Sequence, residues 1–351
     1  MQVQIAPPDQ ITKFRDIIDV RSPSEFAIDH IPGAINCPVL NDDERARVGT
    51  LHKTNPFEAR KLGAALISAN MGRLLQTTFA EHKKSWQPLV YCWRGGLRSG
   101  SVAIIMTQIG WRVHQLQGGY KAYRHRVLDQ LEDLPTRLNF IVLCGPTGSG
   151  KSRFLQALEC CGEQVLDLET LAVHRGSILG LVPGQVQPSQ RYFETCLWEK
   201  LHQFDPTRPV FIESESRRIG QMSLPSSLYQ KMHAGKCLTL EVPLSERIRF
   251  LCEDYDFYLQ NPQLLIDKLD ALKAFRSKQE LGRWTEMAQT GNFYMLVNEL
   301  LEIHYDPLYW RSLRSHYPQA EEGDHLTLES LAPESLLEAV MAYSQKQSLD
   351  K

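Results

Sequence analysis

Two short segments hold residue combinations that can do chemistry. The first is Cys92-Trp93-Arg94-Gly95-Gly96-Leu97-Arg98-Ser99. A cysteine closes the apolar run 88–91, two glycines follow, and a helix-forming stretch begins at once. Glycines admit positive φ and let backbone N–H groups turn inward. Inward amides beside a helix N-terminus make a concave site for an anion. Arg98 adds a planar, two-pronged donor. Such a setting favours a thiolate. Cys92 therefore reads as a nucleophile, with Arg98 as its partner and Trp93, Arg94, Gly95, Gly96 and Leu97 as its anion loop.

The second segment is Gly145-Pro146-Thr147-Gly148-Ser149-Gly150-Lys151-Ser152, a complete G-x-x-x-x-G-K-[ST] match. It follows an apolar strand and opens a helix, the context in which this pattern cradles phosphates. Amides around Gly145, Gly148 and Gly150 wrap a diphosphate, and Lys151 offsets its charge. Ser152 leaves a Mg²⁺ ion open, and no other metal is expected. Supporting acids are Asp167 after the second strand and Glu213 and Glu215 at the end of the third. Arg217 and Arg218 follow them as phosphate or RNA donors. His174 and Arg175, in His174-Arg175-Gly176-Ser177, read as a ligand loop. Each of these also has an ordinary structural or solvated reading.

The elements that must position these segments alternate. Strands at 16–20, 88–92 and 111–116 frame helical stretches at 41–86 and 99–109, with Ser24 as a helix cap. The charged, proline-bearing stretch 129–137 marks a boundary. The pattern then restarts with strands at 138–144, 165–167, 209–212 and 237–242. Alternating strands and helices imply parallel sheets covered on both faces. The predicted fold class is α/β: a first domain over 1–131, and a second over 138–351 with a helical extension from 245 to 310. The acidic stretch 321–338 reads as a solvated helical surface.

Composition narrows the function. The chain has 351 residues, 39 Lys and Arg against 41 Asp and Glu, and a net charge of −2. A global basic field is excluded, so any RNA contact must be local. Lys268, Lys273, Arg276, Lys278 and Arg283, with Arg124 and Arg126, are the candidates. No apolar run reaches a membrane span. The start of the chain lacks the form of a signal peptide, so the cytoplasm is the expected compartment. The eight cysteines show no CxxC pair or zinc spacing. Tyr255, Phe257, Tyr258, Phe293 and Tyr294 are aromatics available for an apolar ligand, with core packing as their default.

The residues also carry a family resemblance. Asp19-Val20-Arg21-Ser22-Pro23-Ser24-Glu25-Phe26, His30-Ile31-Pro32-Gly33-Ala34-Ile35-Asn36, the Cys92 loop and Leu116-Gln117-Gly118-Gly119-Tyr120 resemble a rhodanese domain. That likeness implies a cysteine carrying sulfur or selenium as a persulfide-type adduct. The C-x5-R spacing is one residue longer than in many sulfurtransferase rhodaneses. It matches rhodanese-fold phosphatases and arsenate reductases, and suits a tetrahedral anion.

The whole chain resembles the bacterial tRNA 2-selenouridine synthase family. The added matching segments are Glu44-Arg45-Ala46-Arg47-Val48-Gly49, Asp167-Leu168-Glu169 with the His174 loop, 213–220, and His304-Tyr305-Asp306-Pro307-Leu308-Tyr309. The resemblance implies a rhodanese-like domain fused to a P-loop NTPase-like domain. It implies replacement of sulfur by selenium in wobble 2-thiouridine of tRNAs for Lys, Glu and Gln. It implies selenophosphate as donor, with S-geranyl-2-thiouridine made from geranyl diphosphate as intermediate, and no tightly bound cofactor. Cys92 would take selenium as an S-selanyl adduct. The expected partner is the anticodon arm of tRNA, with a selenophosphate-supplying enzyme as a compatible protein partner and no membrane. The competing reading is a C-x5-R phosphatase, arsenate reductase or sulfurtransferase fused to an NTP-binding module. A nucleotide at the phosphate loop stays open.

Overall fold

The computed structural model describes residues 2–176, 180 and 184–349. The chain forms two compact units. The first comprises Met1–Leu131 and Pro188–Glu199, and the second Glu132–Gln187 and Lys200–Lys351. The first unit thus recruits a segment that sequence position alone assigns to the second. Ser177, in the segment matched to the family, lies outside the described residues. No described helix is long and apolar enough to cross a membrane.

In the first unit, β1 (Gln4–Ala6), β2 (Ile17–Asp19), β3 (Ala34–Asn36), β4 (Leu89–Tyr91) and β5 (His114–Leu116) form one sheet. Its order is β1-β5-β4-β2-β3, and every pairing is parallel. The short edge strand β1 carries no sequence signal that stands out. The strands are three residues long, and β2 and β4 are buried throughout, as a sheet covered on both faces requires. The helix Pro23–Ile28 is capped by Ser22 in a capping box with Glu25, correcting the assignment of Ser24. Ser24 instead bonds to Asp42.

A buried polar centre ties this unit together. Arg21 and Asp19 are almost fully enclosed, and their ion pair closes at 2.6 Å. The Arg21 guanidinium also donates to the Asp29 carbonyl at 2.7 Å and lies 4.1 Å from the Tyr120 ring centre. The Tyr120 hydroxyl donates to the Asp29 carboxylate at 2.6 Å, and the Thr195 hydroxyl does so at 3.2 Å. Thr195 belongs to the recruited segment, which also places Trp198 against Tyr123 and bonds its indole N–H to Gln130 at 2.9 Å. Arg124, considered for RNA, is paired with Glu194 of the same segment.

In the second unit, β6 (Asn139–Cys144), β7 (Gln164–Leu166), β8 (Pro209–Glu213), β11 (Lys236–Glu241) and β12 (Asp324–Thr327) form a parallel sheet. Between β8 and β11 the chain makes a small antiparallel ribbon, β9 (Arg218–Ile219) with β10 (Met222–Ser223). The sheet order is β12-β11-β6-β8-β7, so its order reverses at β6, the position where open α/β sheets bind ligands. Strand β12 corrects the reading of 321–338 as helical surface. Its four residues alternate in exposure along the sheet edge, and helix resumes only at Pro333. Most of the span from Leu244 to His316 is helical, built partly on a cluster of Trp284, Leu265, Leu269, Leu272, Leu296 and Leu300.

Removing one partner of the Arg21–Asp19 pair leaves a charge in a dry interior, which costs about 3–5 kcal/mol. The expected outcome for Arg21→Met is a matching loss of stability in the urea unfolding of the first unit. Joint replacement, Asp19→Leu with Arg21→Met, should recover most of that loss.

Candidate functional site

Cys92 stands at the C-terminal end of central strand β4 and is buried. The loop after it is held from beneath by a second strand-to-helix turn. Tyr120 N–H donates to the Cys92 carbonyl at 2.8 Å, and Lys121 N–H to the Trp93 carbonyl at 2.9 Å. This close approach requires Gly119, at φ +59°. A Cβ there would lie 2.3 Å from the Cys92 oxygen and 2.4 Å from the Gly95 nitrogen. With the carbonyls fixed, the N–H groups of residues 93–96 meet no acceptor among the described residues. They line a concavity at the end of β4. The helix Leu97–Ile109 starts directly behind it.

Two residues that sequence reasoning missed complete the cysteine site. The Ser99 hydroxyl donates to the Cys92 sulfur at 3.2 Å. Gln115 donates to Ser99 Oγ at 2.9 Å and to the Gly95 carbonyl at 2.7 Å, orienting the serine. A hydroxyl donor at this distance stabilises negative charge on sulfur. Arg98 is turned to Glu25, donating at 2.6 Å to one oxygen and 3.4 Å to the other. Burial works to raise the Glu25 carboxyl, but hydrogen bonding and charge from Arg98 outweigh it and hold it below the usual range. Arg94 and Leu97 are exposed at the rim, and Trp93 packs against Tyr120.

The phosphate loop connects β6 to the helix Lys151–Cys160, with Gly150 in the left-handed conformation as its cap. The N–H groups of Thr147, Gly148 and Gly150 meet no acceptor among the described residues. Other groups of the loop are satisfied internally. Lys151 donates to the Gly145 carbonyl at 2.7 Å. Gly145 N–H donates to the Tyr309 hydroxyl at 2.5 Å. Arg247 clasps the Thr147 carbonyl at 2.9 and 2.7 Å and pairs with Asp306 at 2.9 and 2.6 Å. These contacts explain the His304–Tyr309 segment. Pro307 begins the helix Asp306–His316 rather than ending one, and Asp306 and Tyr309 both reach the phosphate loop. Arg247 carried no sequence signal.

A carboxylate cluster borders the loop. Ser152 donates to Glu169 at 3.0 Å, and Glu169 N–H donates to Glu213 at 2.8 Å. Asp167, favoured over Glu169 as the acid from sequence, is spent on capping its own helix: it accepts from Thr170 N–H at 2.7 Å and from the Thr170 hydroxyl at 2.8 Å. Glu215 shares a hydrogen bond with Glu169. Burial, with the charges of Asp167 and Glu169, pushes Glu213 well above the usual carboxylate range. Burial, then the Glu169 charge, pushes Glu215 up to about 8. Burial also raises Glu169, against the pull of Lys151 and Ser152. Glu215 therefore holds its proton at neutral pH, which mutes the cluster's repulsion of a phosphate.

All of this opens into a cavity of about 1000 Å³ within the second unit. Lys151, Ser152, Glu169, Glu215, His174 and Arg175 line it together. His174 accepts from Gly176 N–H at 3.1 Å, and Arg175 pairs with Asp254 at 2.5 Å while stacking on Tyr255. Phe250, Leu251, Tyr255, Leu308 and Leu313 give the cavity an apolar wall. Of the five aromatics considered from sequence, Tyr255 reaches this wall. Tyr258 is core, and Phe257 and Phe293 pack against it. Arg217 and Arg218 are exposed and lie outside the lining. Among the described residues, no three His, Cys, Asp or Glu side chains form a group able to hold a metal.

The raised carboxyls have a consequence for stability. Folding favours their protonated form, so their contribution is full below pH about 4.5, where the unfolded chain is also protonated, and falls as pH rises through 8 for Glu215. Glu215→Gln should flatten the fall in Tm between pH 5 and 8 in a thermal unfolding series, and raise Tm at pH 8.

Comparisons with known proteins agree with this architecture. A rhodanese-like domain model matches residues 8–126, and a model of the tRNA 2-selenouridine synthase AAA domain matches residues 138–281. The chain is 37% identical to a tRNA 2-selenouridine synthase of Shewanella denitrificans, over 94% of this chain and 98% of that one. It is 32% identical to that of Bdellovibrio bacteriovorus, with the same coverage, and 33% identical to that of Nitrosomonas europaea, over 85% and 89%. A rhodanese-like α/β unit and a P-loop α/β unit, matched together along nearly the whole chain, leave one conclusion: the protein belongs to the tRNA 2-selenouridine synthase family of tRNA-modifying enzymes.

Proposed function

We propose that this enzyme replaces the sulfur of wobble 2-thiouridine by selenium in tRNAs for Lys, Glu and Gln, in two steps assigned to its two anion sites. The observation that carries this reading is the cavity of the second unit, where a phosphate loop adjoins an apolar wall. A geranyl diphosphate needs the phosphate loop and hydrocarbon contacts.

In the first step the thiocarbonyl sulfur attacks C1 of geranyl diphosphate. The S–C1 bond forms, the C1–O bond breaks, and pyrophosphate leaves into the amides of the loop. Lys151 exchanges the Gly145 carbonyl for the departing oxygens. The N3 proton of the base leaves with the change from thione to thioether, and the departing pyrophosphate, more basic than the ester it came from, takes it. Ser152 and Glu169 would hold a Mg²⁺ ion, which would offset the charge of the diphosphate.

In the second step selenium of selenophosphate adds at C2 and the C2–S bond breaks. Geranylthiol, a far better leaving group than a thione sulfur, departs. The nucleoside then carries a selenium–phosphorus bond. Attack of the Cys92 thiolate on phosphorus releases 2-selenouridine and leaves phosphate on sulfur. Water frees the thiol and inorganic phosphate. No electrons are gained or lost overall. An S-selanyl cysteine would instead lie two electrons above the selenium of selenophosphate and would need an oxidant. The C-x5-R nest of residues 92–98 suits the tetrahedral phosphoryl group directly.

Nucleoside mass spectrometry of a 2-thiouridine anticodon stem-loop tests the assignment. Wild-type enzyme with geranyl diphosphate and selenophosphate should give 2-selenouridine. Cys92→Ser should form the geranylated nucleoside but stop short of 2-selenouridine, at the selenium-phosphorylated nucleoside, and Lys151→Ala should lower geranylation at least tenfold. Selenouridine formed without geranyl diphosphate would remove the donor from the phosphate loop. An unchanged nucleoside with folded protein would favour a phosphoester hydrolase.

A further inference from the structure

The cavity of the second unit has a portion that neither diphosphate nor hydrocarbon explains. Tyr229, His233, His316 and Tyr317 line it as an array of rings. The His233 ring centre lies 4.0 Å from that of Tyr229, 4.6 Å from Tyr317 and 5.5 Å from His316. Ser312 lies one turn before His316 on the same helix face and also lines the cavity. That helix begins at the phosphate loop, where Tyr309 meets Gly145. Tyr309 and His316 are seven residues apart, a rise of about 10 Å along the axis.

Two features separate this array from a prenyl pocket. The first is the Tyr317 hydroxyl. Tyr317 is only 4% exposed, yet among the described residues its oxygen finds no hydrogen-bond partner. A buried hydroxyl without a partner is costly, and a hydrocarbon chain offers none. The second is the pair of imidazoles. Burial, then the neighbouring His316, lowers His233, so its ring favours the neutral form with one donor and one acceptor nitrogen. Flat rings bearing hydrogen-bonding edges fit a flat ligand that has polar edges of its own. A pyrimidine base meets that description.

We infer that the Tyr229–His233–His316–Tyr317 array is the platform on which the extruded 2-thiouracil base stacks, with the Tyr317 hydroxyl bonding to its polar edge. His316 is exposed, at the rim from which a base swung out of an anticodon loop would enter. The seated base would then lie along the helix face that leads to the phosphate loop. This inference rests on the proposal that the base is alkylated in the second unit.

The test uses the full-length enzyme and a 2-thiouridine anticodon stem-loop. His316→Ala should weaken stem-loop binding about tenfold through lost stacking, and His316→Phe should restore it. Tyr317→Phe, which removes only the hydroxyl, should weaken binding about fivefold. Geranyl diphosphate affinity should change less than twofold in all three. A stem-loop carrying photoreactive 4-thiouridine at the wobble position should crosslink to peptides containing 226–233 or 306–317. Unchanged stem-loop binding in His316→Ala and Tyr317→Phe, or crosslinks confined to other peptides, would overturn the inference. Failure of wild-type enzyme to bind geranyl diphosphate would sink the donor assignment alone, because the crosslink reports the base platform without it.

Discussion

Main-chain amides can hold an anion only where a strand ends, the chain turns through glycine, and a helix begins before those amides find other partners. Both units are organised around that constraint. In the first, Gly119 lets a second turn pass under the Cys92 loop and bind its carbonyls, leaving the amides of 93–96 open. In the second, Gly150 caps the helix Lys151–Cys160 in a left-handed conformation, leaving the amides of Thr147, Gly148 and Gly150 open. Each nest lies at the C-terminal end of an interior strand of a parallel sheet, where helix starts converge.

The two nests differ in what surrounds them, and that difference divides the chemistry. Cys92 has a hydroxyl donor at its sulfur and an arginine held by Glu25, a setting that suits the proposed attack on a tetrahedral group. The phosphate loop has a cation, carboxyls whose burial favours the protonated form, an apolar wall and an array of rings, a setting that suits the proposed diphosphate on an apolar chain. Lys151 and Gly145 are meanwhile bonded to the Gly145 carbonyl and to Tyr309. In the proposed reaction a diphosphate would exchange these partners for its own oxygens, so the loop need not be built anew on binding.

Much of this was legible in the sequence because it rests on local chemistry. Glycine spacing, an apolar strand before it and a helix after it exposed both loops, and strand–helix alternation exposed the two sheets. What stayed hidden depends on distant contacts. Asp167, at the end of its strand, is the acid that sequence favours, and the capping bond to Thr170 that removes it in favour of Glu169 shows only in the structure. Arg247, Asp306 and Tyr309 lie 100 or more residues beyond the loop they hold, in helices whose local pattern is ordinary. Thr195 and Trp198 fold into the first unit because Asp29 and Gln130 offer partners there. The edge strand β12 is acidic and half exposed, so its composition resembles that of a solvated helix.

The central claim is that alkylation and selenation are separate steps at separate sites, joined by a geranylated RNA. A sequential experiment addresses it most directly. A 2-thiouridine stem-loop is first incubated with Cys92→Ser enzyme and geranyl diphosphate, then stripped of protein and donor. It is next given to Lys151→Ala enzyme with selenophosphate alone, and its nucleosides are weighed. The account predicts conversion to 2-selenouridine at a rate comparable to wild-type enzyme on the same RNA. Geranylated RNA left unchanged by Lys151→Ala, while wild-type enzyme converts it, would contradict the division of labour.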